Sequence, residues 1–136
     1  MNPIKNKKVI LSTLWVFATL NYLYCDVLGL MDSVLLNQYL TGEVEGMTID
    51  QNFLLAAAIL MEIPIAMVLL SLILKHKANR WANIIAGSIK TIAMILTMFV
   101  GPTLYYLFFG TIEIATTIFV VGYAWNWSET KNSLNE

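Results

Sequence analysis

The chain has 136 residues, 58% hydrophobic and 12% charged, with a mean hydropathy of +0.69. A water-soluble domain carries about 25% charged residues, so this sequence lacks the charge to cover a solvent-exposed surface and reads as an integral membrane protein. A net charge of -1 with scattered Lys and Arg excludes a nucleic-acid-binding face, and the single Cys25 excludes an internal disulfide or a cysteine-rich metal site.

A bilayer core of ~30 Å takes about 20 mostly apolar residues per helix. Four stretches qualify, at 9–31, 51–74, 81–100 and 103–126. They predict an all-α four-helix transmembrane bundle, one domain over 1–136 with no internal repeat. Lys5, Lys7 and Lys8 ahead of the first span resemble the basic region of a signal peptide, but the apolar run is too long and offers no A-x-A-like cleavage site. The span is therefore expected to remain as an anchor. Bulky Tyr24 before Cys25 argues against lipoprotein processing and for a packed thiol.

After span 1, Asp32 is placed to cap a short helix through about Leu40, ended by Gly42. Val34, Leu35, Leu36, Tyr39 and Leu40 make it amphipathic, suited to lie on the outer surface or to close the bundle. Thr48 and Gln51 have the spacing of a capping box, which would start helix 2. His76, in the Lys75-His76-Lys77 run, reads as a solvated loop residue, and Trp81, Trp125 and Trp127 read as a headgroup belt. Gly101-Pro102 joins a helix stop to a favoured first helical residue, predicting a tight hairpin between spans 3 and 4.

Orientation follows the basic residues flanking the spans. Lys5, Lys7, Lys8, Lys75, Lys77, Arg80 and Lys131 lie on one side, whereas segments 32–50 and 101–103 contain no Lys or Arg. Both termini and the 75–80 loop are expected in the cytoplasm.

Ionisable residues within spans cost roughly 2.5–3.5 kcal/mol each on insertion scales and point to function. Asp26, Glu62, Lys90 and Glu113 are four such residues. At a rise of 1.5 Å per residue, Glu62, Lys90, Glu113 and Asn21 all fall near the midplane, with Asp26 above them. Lys90 shares a face with Asn83, Gly87 and Thr97; Glu113 with Tyr106, Phe109, Gly110, Thr116 and Thr117. Asn21 aligns with Ala18, Tyr24 and Cys25, and Asp26 with Trp15, Thr19, Tyr22 and Gly29. One polar group from each helix is thus expected to converge on a single layer. Pro64 removes an amide donor two residues from Glu62 and kinks helix 2, either to open a pocket or merely to pack. Three acids against one lysine leave an excess negative charge, to be met by a proton, a cation or water. The structural alternative is that Lys90 bridges Glu62 and Glu113 and holds the helices in register. Two carboxylates could hold a hard cation, but Lys90 competes with it, so neither a metal nor a cofactor is expected.

The sequence resembles small four-helix bacterial membrane proteins of no agreed activity, similar to the wider DoxX-like group. The resemblance rests on Leu14-Trp15, Asn21-Tyr22 and Asp26, on Glu62-Ile63-Pro64, on Arg80-Trp81-Ala82-Asn83, and on Tyr105-Tyr106-Leu107-Phe108-Phe109-Gly110 leading to Glu113 and Trp125. It implies a multi-pass bundle in a bacterial cytoplasmic membrane and no particular substrate.

Three functional classes stay open. In a binding or transport protein for a lipophilic, optionally cationic, small molecule, Glu62 and Glu113 would supply charge and exchange protons beside Lys90. Asn21 and Asp26 would add polar contacts, and Tyr22, Tyr106 and Phe109 aromatic walls. A homodimer would suit transport, since the chain has no inverted repeat. In an intramembrane enzyme acting on a lipid-like substrate, a buried carboxyl would serve as general acid or base, although no nucleophile, nucleotide or metal motif accompanies it. In an accessory subunit of a membrane complex, the polar layer would be helix-helix glue.

Overall fold

The computed structural model describes residues 3–100 and 103–128. Its elements are α1 Pro3–Met31, α2 Ser33–Thr41, a hairpin of β1 Glu43–Val44 and β2 Met47–Thr48, then α3 Gln51–Ile73, α4 His76–Met98 and α5 Leu104–Trp125. Helices α1, α3, α4 and α5 are long and apolar enough to cross a membrane. They match the four spans read from sequence, except that α1 and α4 begin five or six residues earlier, on polar turns that carry Lys5, Lys7 and Lys8 and Lys77 and Arg80. The Gly101-Pro102 turn and Lys131 lie outside the described residues.

Helix α1 packs on α3 and α5, and α4 on α5 and α3, which closes a four-helix ring. The buried positions explain why. Among them are Leu11, Trp15, Ala18, Tyr22, Cys25 and Gly29 on α1, Asn79, Asn83, Ala86 and Lys90 on α4, and Glu113, Thr117, Val120 and Ala124 on α5, with Trp127 just past its end. Each set alternates steps of four and three, the seam of helices wound left-handedly about one another. Large apolar side chains such as Leu23, Leu69, Ile92 and Phe119 are exposed, facing where lipid would be. The interior is polar in patches: Ser12, Ser71, Asn79, Asn83, Lys90, Glu113, Thr116 and Thr117 are all buried.

The connection after α1 forms as its residues dictate. The Asp32 carboxylate accepts from Val34 N and Leu35 N to cap α2, and Gly42, at φ 77°, ends it in the left-handed conformation that glycine tolerates. Leu35 packs over Gly29, where a β-carbon would come within 3.2 Å of it. The strands β1 and β2 are an addition to the sequence reading. They pair Glu43 with Thr48 and Val44 with Met47, and their two turn residues, Glu45 and Gly46, both have positive φ (50° and 78°), as a type I′ hairpin turn requires.

That hairpin overturns the Thr48–Gln51 capping box. Thr48 is held in β2, and Asp50 caps α3 instead, accepting from Phe53 N at 2.8 Å. Two further expectations change at the opposite end. His76 is not a solvated loop residue but the first residue of α4, its ring packed edge-on against Trp127 at 4.7 Å. Trp127 is 2% exposed and belongs to the core, while Trp81 and Trp125 remain exposed.

Candidate functional site

Two buried polar groups occupy different levels of the bundle. Toward the end bearing Lys75 and Arg80, Trp15 Nε1 donates to Asn83 Oδ1 at 2.7 Å, and Ser71 Oγ donates to the same oxygen at 3.3 Å. Asn83 Nδ2 donates to Asn79 Oδ1 and Asn79 O, and Asn79 Nδ2 donates to Ser71 O at 2.6 Å. Ser71 is in the last turn of α3, whose carbonyls lack intrahelical partners, so Asn79 completes that helix end. The network joins α1, α3 and α4, and its side-chain hydrogen bonds are mutually satisfied. Its sequence signal was Asn79 and Asn83, one helical turn apart on the inner face of α4.

The second group lies deeper and is not satisfied. The seams turn Tyr22 of α1, Lys90 of α4 and Glu113 of α5 inward, eight or nine residues from the α2 end of their helices, a depth of roughly 12–14 Å. Lys90 is 3% exposed; its Nζ stands 3.9 Å from the centroid of the Tyr22 ring and 3.9 Å from Met61 Sδ. A cation over an aromatic face is attracted by the ring quadrupole. Glu113 is 1% exposed, and among the described residues neither carboxylate oxygen has a hydrogen-bond partner; the Tyr22 hydroxyl also has none. Lys90 and Glu113 act on each other electrostatically, and Asp26 acts on both. No ion pair joins Lys90 to Glu113 among the described residues; the ammonium is directed at a ring and a thioether instead.

The structure does not bring the other acids and amides of the expected layer into this group. Asn21 and Asp26 flank the α1 seam on either side: Asn21, half-buried, donates to Phe17 O of its own helix at 2.9 Å, and Asp26 is exposed near α2. Glu62 is exposed as well. The inner seam of α3 is Pro64, Met67 and Ser71, and a residue two positions before Pro64 is turned by ~200° at 100° per residue. The bridge from Lys90 to Glu62 and Glu113 does not form.

Above the group, at the α2 end, a cavity of about 420 Å³ is walled by Leu35, Tyr39, Val44, Tyr105 and Tyr106, with Asp32 and Glu45 among its polar lining. In its lining the Tyr106 hydroxyl donates to Thr97 Oγ1 at 2.7 Å. Partial burial pushes the Tyr39 hydroxyl above its ordinary range, and nearby Asp26 adds to this. Tyr106 is half-buried, and Glu113 lies two helical turns or ~10 Å further along α5. Phe109, also half-buried, meets Phe108 edge-on at 5.5 Å. The cavity lining does not include Tyr22, Lys90 or Glu113, which lie deeper along the same helices. Among the described residues no three His, Cys, Asp or Glu side chains gather as metal ligands would.

The fold and this interior define a membrane-embedded four-helix bundle with a buried, incompletely satisfied charged group. Residues 2–134 match the family described as "Family of unknown function (DUF6326)", and the chain belongs to it. No curated protein and no solved structure matches the chain, and no finding ties it to the DoxX-like proteins.

Proposed function

We propose that the protein binds, and carries into or across the bilayer, a lipophilic amine that enters by the α2 cavity and presents its ammonium to Glu113. The supporting observation is the Glu113 carboxylate, 1% exposed with both oxygens unpartnered. A buried acceptor without a donor costs about 1–3 kcal/mol, more for a charged group, and an arriving N–H donor removes that cost. Because Lys90 rests on Tyr22 and Met61, the carboxylate is left to a ligand. The aromatic walls and acidic lining of the cavity suit the same class of molecule. By the positive-inside rule the α2 end faces out of the cytoplasm, so the ligand would enter from outside.

The test is thermal unfolding of the purified protein in detergent, with a panel of alkylamines, quaternary alkylammonium ions and lipids. An alkylamine should raise Tm in the native protein and leave Glu113→Gln unmoved. If no amphiphile shifts Tm, and Glu113→Gln melts with the parent, the proposal fails and an accessory-subunit role becomes the better reading.

A further inference from the structure

Glu62 raises a question that the ligand site does not answer. It is the twelfth of the 23 residues of α3 and is exposed, so each end of the helix is ~16 Å away, too far for a carboxyl to reach the headgroups. No intrachain hydrogen bond or ion pair involves it among the described residues. A lone carboxyl against lipid at mid-depth is costly, and such residues are normally turned toward protein or water. Glu62 does neither within one chain.

We infer that the exposed face of α3 centred on Glu62 is the dimer interface of the protein, where two copies pair helix to helix and the two Glu62 carboxyls hydrogen-bond to each other. Symmetry, the chemistry of a carboxyl and the shape of the face select a second copy as the occupant. Copies inserted in the same orientation meet at equal depth about a two-fold axis along the membrane normal, so an α3–α3 contact sets each Glu62 against its equivalent. A carboxyl both donates and accepts when protonated, so two of them sharing a proton are mutually complementary where two lysines would not be. The face also permits close approach: Ala58, one turn before Glu62, is small, as membrane helix interfaces favour. A groove of about 270 Å³ between α1 and α3, lined by Thr19, Leu20, Ile65 and Leu69 among others, runs beside it to receive side chains of the partner. Dimerisation is independent of the amine site, since Glu62 and Glu113 face opposite sides of the bundle wall.

The experiment is energy transfer between donor- and acceptor-labelled full-length protein in phosphatidylcholine/phosphatidylglycerol vesicles, diluted stepwise with lipid. The native protein and Glu62→Gln, whose amide also pairs with itself, should show saturable dimerisation. Glu62→Leu should weaken it by about 5- to 30-fold, the range of interhelical polar contacts in membranes. Ala58→Leu, which keeps the carboxyl but blocks approach, should weaken it similarly. Glu62→Leu places an apolar side chain against lipid and should fold; an unchanged Tm verifies that. A native protein that stays monomeric at every lipid ratio, or a Glu62→Leu variant that dimerises as well as the parent, would overturn the inference. Amine-induced Tm shifts in Glu62→Leu separate a failure of this interface from a failure of the ligand site.

Discussion

Asn83 and Glu113 are both buried polar residues on neighbouring helices, and they differ in whether their hydrogen bonds are complete. Asn83 receives Trp15 and Ser71 and donates to Asn79; truncation strands several buried groups at once. Asn83→Ala should therefore destabilise by about 1–3 kcal/mol for each group left unsatisfied, seen as a clear drop in Tm in detergent. Lys90 and Glu113 should behave oppositely. Replacing a buried charged pair by apolar residues of similar volume is often neutral or stabilising by about 1–4 kcal/mol, so Lys90→Met/Glu113→Leu should melt no lower than the parent while losing any amine response. A double variant that melts well below the parent would make the charged layer structural. Lys90 and Glu113 could be recognised from sequence because ionisable residues stand out in apolar spans and their depth follows from counting. Glu62 was misplaced for a rotational reason. Helix α3 is so uniformly apolar that depth is legible and facing is not; only Pro64, Met67 and Ser71 mark its inner side.

Among the elements, the helix pair α4–α5 packs tightly at Gly87. A β-carbon on Gly87 would stand 2.7 Å from Val121 Cγ2 and 3.2 Å from the Thr117 carbonyl oxygen, whereas one on Gly122 would meet nothing within 4 Å. Gly87→Ala must push the helices apart or distort the Thr117 turn, at a cost of about 1–3 kcal/mol as for other overpacked cores. Gly122→Ala meets no obstruction and should gain up to ~1 kcal/mol of helix propensity. Unfolding of the two variants side by side should thus split in opposite directions around the parent; equal shifts would mean that α4 and α5 adjust freely. The helices and the caps of α2 were readable because each has a local cause: a long apolar run, Asp32 in front, Gly42 behind. The hairpin was not, since strands of two residues are too short to show an alternating pattern, and its only trace is the Glu45-Gly46 pair. The capping-box reading of Thr48 failed with it, because α3 starts only at Gln51 behind the Asp50 cap, two residues past Thr48.

Across the whole molecule, charge is sorted by end. Lys5, Lys7, Lys8, Lys75, Lys77 and Arg80 cluster at one end, where Lys8 Nζ donates to Leu72 O at 3.3 Å near the end of α3 and Lys7 lies 5.4 Å from the centre of the Tyr123 ring. Asp32, Glu43, Glu45 and Asp50 mark the α2 end, which has no Lys or Arg in segment 32–50. Basic loops are retained in the cytoplasm, so the cavity beneath α2 should open to the outside and the Asn79–Asn83 network should lie on the cytoplasmic side. The same arrangement would give an approaching cation an acidic mouth, aromatic walls and then Glu113, with the basic end as a barrier beyond. Single cysteines in a Cys25→Ser background test this with a membrane-impermeant maleimide on intact cells. Glu45→Cys should label without permeabilisation and Lys77→Cys only after it. The reverse pattern would turn the cavity to the cytoplasm, and the proposed entry of an amine from outside would have to be replaced by capture from within.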